Sequence, residues 1–187
     1  MKRLICISVT ILALAGCSSG TGESSQDGTK PPASSAPATA SITVTSSAFA
    51  AGADIPVKYS CKGENISPPL QWSGVPKEAT SLALVVDDPD APNPPYVHWV
   101  VLNIDPAATE VAEGAVPAKG TQLKGSNGQA AYAGMCPPGQ RHRYVFKVYA
   151  LKEPLQNAET QSPVEIGKSL DQNAIAKGEL TGSFQPS

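Results

Sequence analysis

Short runs rich in β-branched and aromatic residues, separated by loops, constrain the fold of this chain most strongly. Such runs are too short for typical helices, and several alternate polar with apolar residues as half-buried strands do. Nearly all of the 18 prolines and 16 glycines lie outside them, where they favour turns and loops. The sequence therefore predicts a β-rich domain whose clearest strands are SITVTS (41–46), DIPVKYS (54–60), SLALVVDD (81–88), YVHWVVLNI (96–104) and HRYVFKVYAL (142–151).

One helix is strongly indicated near the C-terminus. Ser162 is placed to cap it, Pro163 occupies the first helical position, and Glu165 completes a capping box three residues after the cap. Gly178 is a plausible C-terminal stop. The segment ELTGSF (179–184) then predicts a short final strand.

The N-terminus has the features of a bacterial lipoprotein signal. A basic start and the apolar run 4–15, too short for a usual membrane-spanning helix, lead to LAGC, which ends at Cys17. This pattern predicts a signal peptide over 1–16 and lipidation of Cys17, with acyl chains such as palmitate anchoring the protein in a membrane. We expect an extracytoplasmic protein of the cell envelope.

The chain divides by composition after the signal. Residues 18–40 contain no Leu, Ile, Val, Phe, Tyr or Trp, so they cannot bury enough apolar surface to offset their ordering entropy. We expect a flexible linker over 17–40 and one folded domain over 41–187. The net charge of −2, with both signs interspersed, disfavours nucleic acid as a partner.

Two cysteines remain in the mature domain. Cys6 leaves with the signal, and Cys17 is expected to be lipidated, which leaves Cys61 and Cys136. Export permits a disulfide between them, and two free thiols are the alternative. The two cysteines and two histidines do not have the spacing of a zinc site.

The stretch DDPDAPNPPYVHWVV (87–101) contains the densest polar chemistry. Asp88 and Asp90 lie where an apolar strand meets a turn stiffened by proline. His98 and His142, the two histidines of the chain, each stand near the start of a predicted strand. Strand ends beside rigid loops suit a binding site. Arg141 and Arg143 flank His142, and strand alternation puts them on the opposite face.

These segments resemble the signatures of the phosphatidylethanolamine-binding protein family, also called Raf-kinase-inhibitor-like proteins. DPDAPNPPYVHWVVLNI is similar to the DPDAP…HW signature, and CPPGQRHRYVFKVYAL to the second signature. SCKGENISPPLQWSGVP resembles the opening motif of the bacterial branch, and AIAKGELTGSF its usual ending. The resemblance covers about residues 42–184, nearly the whole predicted domain.

The resemblance implies a fold and a site. The fold would be mainly β, an antiparallel β-sandwich-like core with one or a few short helices and an anion-binding pocket at one end. That pocket would take phosphate-like or carboxylate-like groups, including phospholipid headgroups. GQRHRY departs from the family pattern and predicts a more cationic rim. The pocket would be built from Asp88, Asp90, His98, Pro137, His142 and Tyr144, with Ser67 and Trp72 nearby.

The residue types agree with a binding role. Imidazole and tyrosine hydroxyl groups can donate to an anion, and each aspartate can orient an imidazole by accepting its N–H. Alternatively, an aspartate can bind the ammonium end of a zwitterionic headgroup. We therefore expect a protein that binds a small anionic ligand or a phospholipid headgroup, without catalytic residues, metal or cofactor.

Two other functions stay open at the level of sequence. The first is a hydrolase that uses the histidines and aspartates as acid and base or as Zn²⁺ ligands. Against it, no GxSxG elbow and no HxxxH spacing occur, and Cys136 is the only candidate nucleophile. The second is an inhibitor of a protease or kinase that acts through its surface, whose protein partner the sequence does not identify.

Overall fold

The longest strands form where the β-branched runs predict them. The computed structural model describes residues 40–186, so the predicted signal peptide, Cys17 and most of the linker lie outside the described residues. Three strands match their predicted limits: Ser81–Asp88 (β4), Tyr96–Ile104 (β5) and His142–Leu151 (β8). The runs of Val, Leu, Tyr and Phe therefore form the centre of the domain.

Two sheets contain all the strands of the described residues. Besides β4, β5 and β8, the strands are Ala40–Ser41 (β1), Thr43–Thr45 (β2), Leu70–Ser73 (β3), Glu110–Val111 (β6), Thr121–Leu123 (β7) and Ala174–Phe184 (β9). The larger sheet has the order β1-β9-β8-β4-β5-β7 and the smaller the order β2-β3-β6; all neighbours are antiparallel except β1 and β9. The sequence analysis does not indicate β3, β6 or β7, which have two to four residues each.

The larger sheet buries both of its faces. One face packs against the smaller sheet, and this core includes Val44, Trp72, Leu84, Trp99 and Phe146. The other face packs against the helix Pro163–Asn173 (α1). Alternate residues of β8 therefore enter different cores. The mainly β, sandwich-like fold with one α-helix is confirmed, and no helix among residues 40–186 is long and apolar enough to span a membrane.

The predicted helix begins where expected but ends earlier. Ser162 accepts the N–H of Glu165, and Glu165 accepts the N–H of Ser162, so the capping box is present. The predicted stop at Gly178 is wrong, because the helix ends at Asn173 and β9 starts at Ala174. Gly178 instead lies in β9, where a β-carbon would be only 2.0 Å from the carbonyl oxygen of Ile42.

The predicted strand over 54–60 is also wrong. Asp54 and Ser60 form only isolated bridges, to Ser183 and Met135, and Val57–Tyr59 between them form a short 3-10 turn. Pro56 has no backbone N–H to continue the ladder, so the chain turns away after Ile55.

The position of Gly178 generates a prediction about stability. Gly178→Ala should lower the free energy of unfolding by about 1–3 kcal/mol, because the added methyl group overlaps the backbone of Ile42. Gly167→Ala is the matched control: its β-carbon meets nothing within 4 Å, and it lies inside α1, so it should stabilise by about 0.5–1 kcal/mol. Urea denaturation measures both. Equal effects of the two substitutions would contradict this account of β9.

Candidate functional site

A cavity of about 310 Å³ opens at one end of the larger sheet. The C-terminal end of β4 meets the N-terminal ends of β5 and β8 there, because these neighbouring strands are antiparallel. The loops 89–95 and 133–138 complete the wall. The lining residues are Asp88, Ala91, Pro92, Tyr96, His98, Ala133, Gly134, Cys136, Pro137, Pro138 and His142.

Asp88 and His142 form a buried pair in this wall. The Nδ1 of His142 lies 2.7 Å from Oδ2 of Asp88, and both side chains are less than a tenth exposed. The other carboxylate oxygen, Oδ1, accepts the backbone N–H of Asp90 at 2.8 Å. Because the carboxylate accepts from Nδ1, the nitrogen of His142 left for other partners is Nε2. In the protonated form of His142, Nε2–H is a donor beside the cavity.

His98 has a different partner. Its Nδ1 lies 2.9 Å from the carbonyl oxygen of Ala133, which can only accept, so Nδ1 carries the proton. Its ring packs against Tyr96 and Tyr144, with centroid distances of 4.8 and 5.3 Å. Burial lowers the pKa of His98 and outweighs the carbonyl groups and carboxylates that raise it. The expected aspartate–imidazole pairing therefore occurs at His142 and not at His98.

Asp90 lies at the rim and pairs with Arg143. Its carboxylate accepts the backbone N–H, Nε–H and Nη2–H of Arg143 at 2.7–2.9 Å. These hydrogen bonds lower the pKa of Asp90 to about 2. Arg141 forms an ion pair with Asp54. Both arginines are thus neutralised by carboxylates, which corrects the expectation of a more cationic rim.

Tyr144 packs against the ring of His98 and does not itself line the cavity. Its side chain is fully buried, and its hydroxyl has no hydrogen-bond partner among residues 40–186. Burial raises the pKa of Tyr144, and the nearby charge of Asp88 adds to this effect. The residue therefore contacts His98 through its ring and is a neutral phenol. Our expectation that its hydroxyl donates to a ligand is not supported by this placement.

Ser67 and Trp72, which were expected near the pocket, are not among the residues that line the cavity. Trp72 is on β3 in the smaller sheet, and its indole N–H donates to the carbonyl of Ala108 at 2.7 Å. Ser67 is buried, and its backbone carbonyl accepts the N–H of Gly114 at 2.9 Å. Both residues belong to the support of the fold rather than to the pocket wall.

Sequence reasoning missed two residues that shape the wall. Tyr96 stands two residues before His98 on β5, so strand alternation could have placed it on the same face. Asn65 accepts the backbone N–H of Gly134 through Oδ1 at 2.7 Å. A β-carbon at Gly134 would lie 2.5 Å from that oxygen, so the loop approaches Asn65 only because this residue is glycine.

A disulfide joins the 61–65 segment to the same loop. Cys61 and Cys136 are bonded, with their α-carbons 5.5 Å apart, and both residues are exposed at the surface. This removes the only candidate cysteine nucleophile. Within the described part of the chain, no group of three or more His, Cys, Asp or Glu residues is arranged to hold a metal ion.

Fold and site together define a small mainly β domain with a histidine-lined cavity at the end of its larger sheet. Residues 45–185 match the phosphatidylethanolamine-binding protein family. "Putative lipoprotein LppC" of Mycobacterium tuberculosis strain H37Rv is 40% identical, over 94% of this chain and 91% of its own length. The chain therefore belongs to the phosphatidylethanolamine-binding protein family.

Two solved structures share this fold. The crystal structure of the family homologue CT736 from Chlamydia trachomatis has a TM-score of 0.72 and 39% identity, covering 79% of this chain and 99% of the other. YbcL of E. coli, a member of the same family, has a TM-score of 0.73 and 33% identity, covering 78% of this chain and 99% of the other.

The disulfide generates a prediction about stability. It closes a loop between positions 75 residues apart, so the double substitution Cys61→Ser with Cys136→Ser should lower the free energy of unfolding by roughly 4 kcal/mol. Urea denaturation with and without reductant measures this difference. The double variant should not respond to reductant. Detection of both thiols in the denatured, unreduced protein would contradict the bond.

Proposed function

We propose that the protein is an extracytoplasmic, lipid-anchored binding protein whose cavity takes a small oxyanion. The observation that carries the proposal is the orientation of two imidazoles at one cavity. Nδ1 of His142 is held by Asp88 and Nδ1 of His98 by Ala133, and neither Nε2 has a hydrogen-bond partner among residues 40–186. Two preoriented nitrogens at a cavity of this size suit a small oxyanion such as phosphate.

Electrostatics supports the proposal at His142. Its buried partner Asp88 fixes the ring through Nδ1, so in the protonated form Nε2–H can form a charge-assisted hydrogen bond to an anion. The carboxylate of Asp88 uses both oxygens within the protein, one for His142 and one for the backbone of Asp90. Asp88 is therefore better suited to orient the imidazole than to bind a ligand ammonium group.

The anchoring part of the proposal rests on the N-terminal sequence and on one relative. The segment ending in LAGC at Cys17 has the pattern of a lipoprotein signal. The M. tuberculosis relative that covers 94% of this chain is itself named a lipoprotein. No observation on residues 40–186 favours the hydrolase or the surface inhibitor.

Calorimetric titration of the purified full-length protein with inorganic phosphate tests the proposal. His142→Gln should weaken binding about 10- to 100-fold, because it removes a charge-assisted hydrogen bond. Lys119→Gln is the matched control: it also removes a positive charge, but from an exposed pair with Asp105 outside the cavity lining. It should leave the affinity unchanged.

Two results would contradict the proposal. One is an unchanged dissociation constant in a His142→Gln variant whose amide NMR spectrum shows the native fold. The other is the absence of binding by the wild-type protein to any of phosphate, sulfate and acetate.

A further inference from the structure

The hydrogen-bonding state of His98 restricts which oxyanions fit the cavity. Its Nδ1–H is committed to the Ala133 carbonyl at 2.9 Å, and the side chain is only 5% exposed. Burial lowers the pKa of His98, so the imidazole is neutral at neutral pH. A neutral imidazole protonated on Nδ1 has a lone pair on Nε2 and can only accept a hydrogen bond there.

The surroundings of His98 do not supply a permanent cation that would change this state. Strand β4 brings the carboxylates of Asp87 and Asp88, which raise the pKa of His98 but less than burial lowers it. From β8 come His142 and the neutral Tyr144, and Tyr96 lies on the strand of His98 itself. The cavity lining contains no lysine and no arginine.

The two histidines therefore require different hydrogen-bonding groups on one ligand. His142 in its protonated form donates from Nε2, whereas His98 accepts at Nε2. An oxyanion without a proton would place its negative oxygen against the lone pair of His98, unless that imidazole first became charged in a buried position. An oxyanion that carries one O–H would satisfy both imidazoles.

We propose that the cavity selects oxyanions that carry an O–H group over sulfate, carboxylates and phosphate diesters. The selected ligands are hydrogen phosphate and the singly protonated form of a phosphate monoester. This inference rests on the proposed function and makes His98 the specificity-determining residue. It disfavours an intact phospholipid headgroup, whose phosphate is a diester without an O–H, and favours a free phosphate or monoester. The proton stays on the ligand and no covalent bond changes.

Calorimetry on the full-length protein at about pH 7 separates these ligands. Phosphate then carries one or two protons, whereas sulfate, which is also tetrahedral, carries none. Hydrogen phosphate should bind about 10- to 100-fold tighter than sulfate, because a lone pair left facing a charged oxygen is costly. Dimethyl phosphate, which represents the diester of a phospholipid, should bind as poorly as sulfate.

A pH series on the wild-type protein provides a second test that needs no variant. As the pH falls through the lowered pKa of His98, the imidazole gains a proton and Nε2 becomes a donor. The affinity for sulfate should therefore rise, and the preference for phosphate over sulfate should shrink. A preference that stays constant while NMR of the ring shows His98 gaining its proton would contradict the role of His98.

Two substitutions assign the preference to one imidazole. His98→Gln supplies an amide that can donate as well as accept, so at the same pH the phosphate-to-sulfate ratio should fall close to one. His142→Gln should weaken both ligands and keep the ratio. Equal binding of phosphate and sulfate by the wild-type protein would overturn this inference and leave the proposed function standing. Binding of neither anion would overturn both.

Discussion

The hydrogen bond between Asp88 and His142 is the interaction on which the site depends. It joins the end of β4 to the start of β8, two neighbouring strands whose ladder fixes the distance between the two side chains. The same carboxylate accepts the backbone N–H of Asp90 and so holds the start of the proline-rich loop. Because both groups are buried, removal of one would leave either Oδ2 of Asp88 or Nδ1 of His142 without its partner, at a cost of about 1–3 kcal/mol. One carboxylate thereby orients an imidazole and positions a wall of the cavity.

The opposite wall depends on contacts from a segment distant in sequence. The loop 133–138 is held by the Cys61–Cys136 bond and by the hydrogen bond from Gly134 to Asn65. The carbonyl of Ala133 in this loop then sets the tautomer of His98. Both histidines are thus oriented through Nδ1 by groups whose polar atoms are already hydrogen-bonded within the protein. These groups are the Asp88 carboxylate and the Ala133 carbonyl. This is the arrangement expected of a site whose geometry exists before binding.

Much of this architecture could be predicted from sequence, and the failures have physical causes. The limits of β4, β5 and β8 follow from apolar runs bounded by charge and proline. The sequence does not reveal the role of Gly178, because a glycine that ends a helix and a glycine that admits a crossing backbone look the same in sequence. Without the strand register, the sequence cannot show that the carboxylate of Asp90 pairs with Arg143 rather than with a histidine. The role of Ala133 depends on a backbone carbonyl, which no side-chain pattern reveals.

The most direct test of the account is the tautomeric state of the two imidazoles, measured by two-dimensional ¹H–¹⁵N NMR of the ring nitrogens in the ligand-free protein. The account predicts that Nδ1 carries the proton on both His98 and His142, and that Nε2 of His98 has the chemical shift of an unprotonated nitrogen near neutral pH. A proton on Nε2 of His98 with a bare Nδ1 would contradict it. So would a fully charged His98 in the absence of ligand.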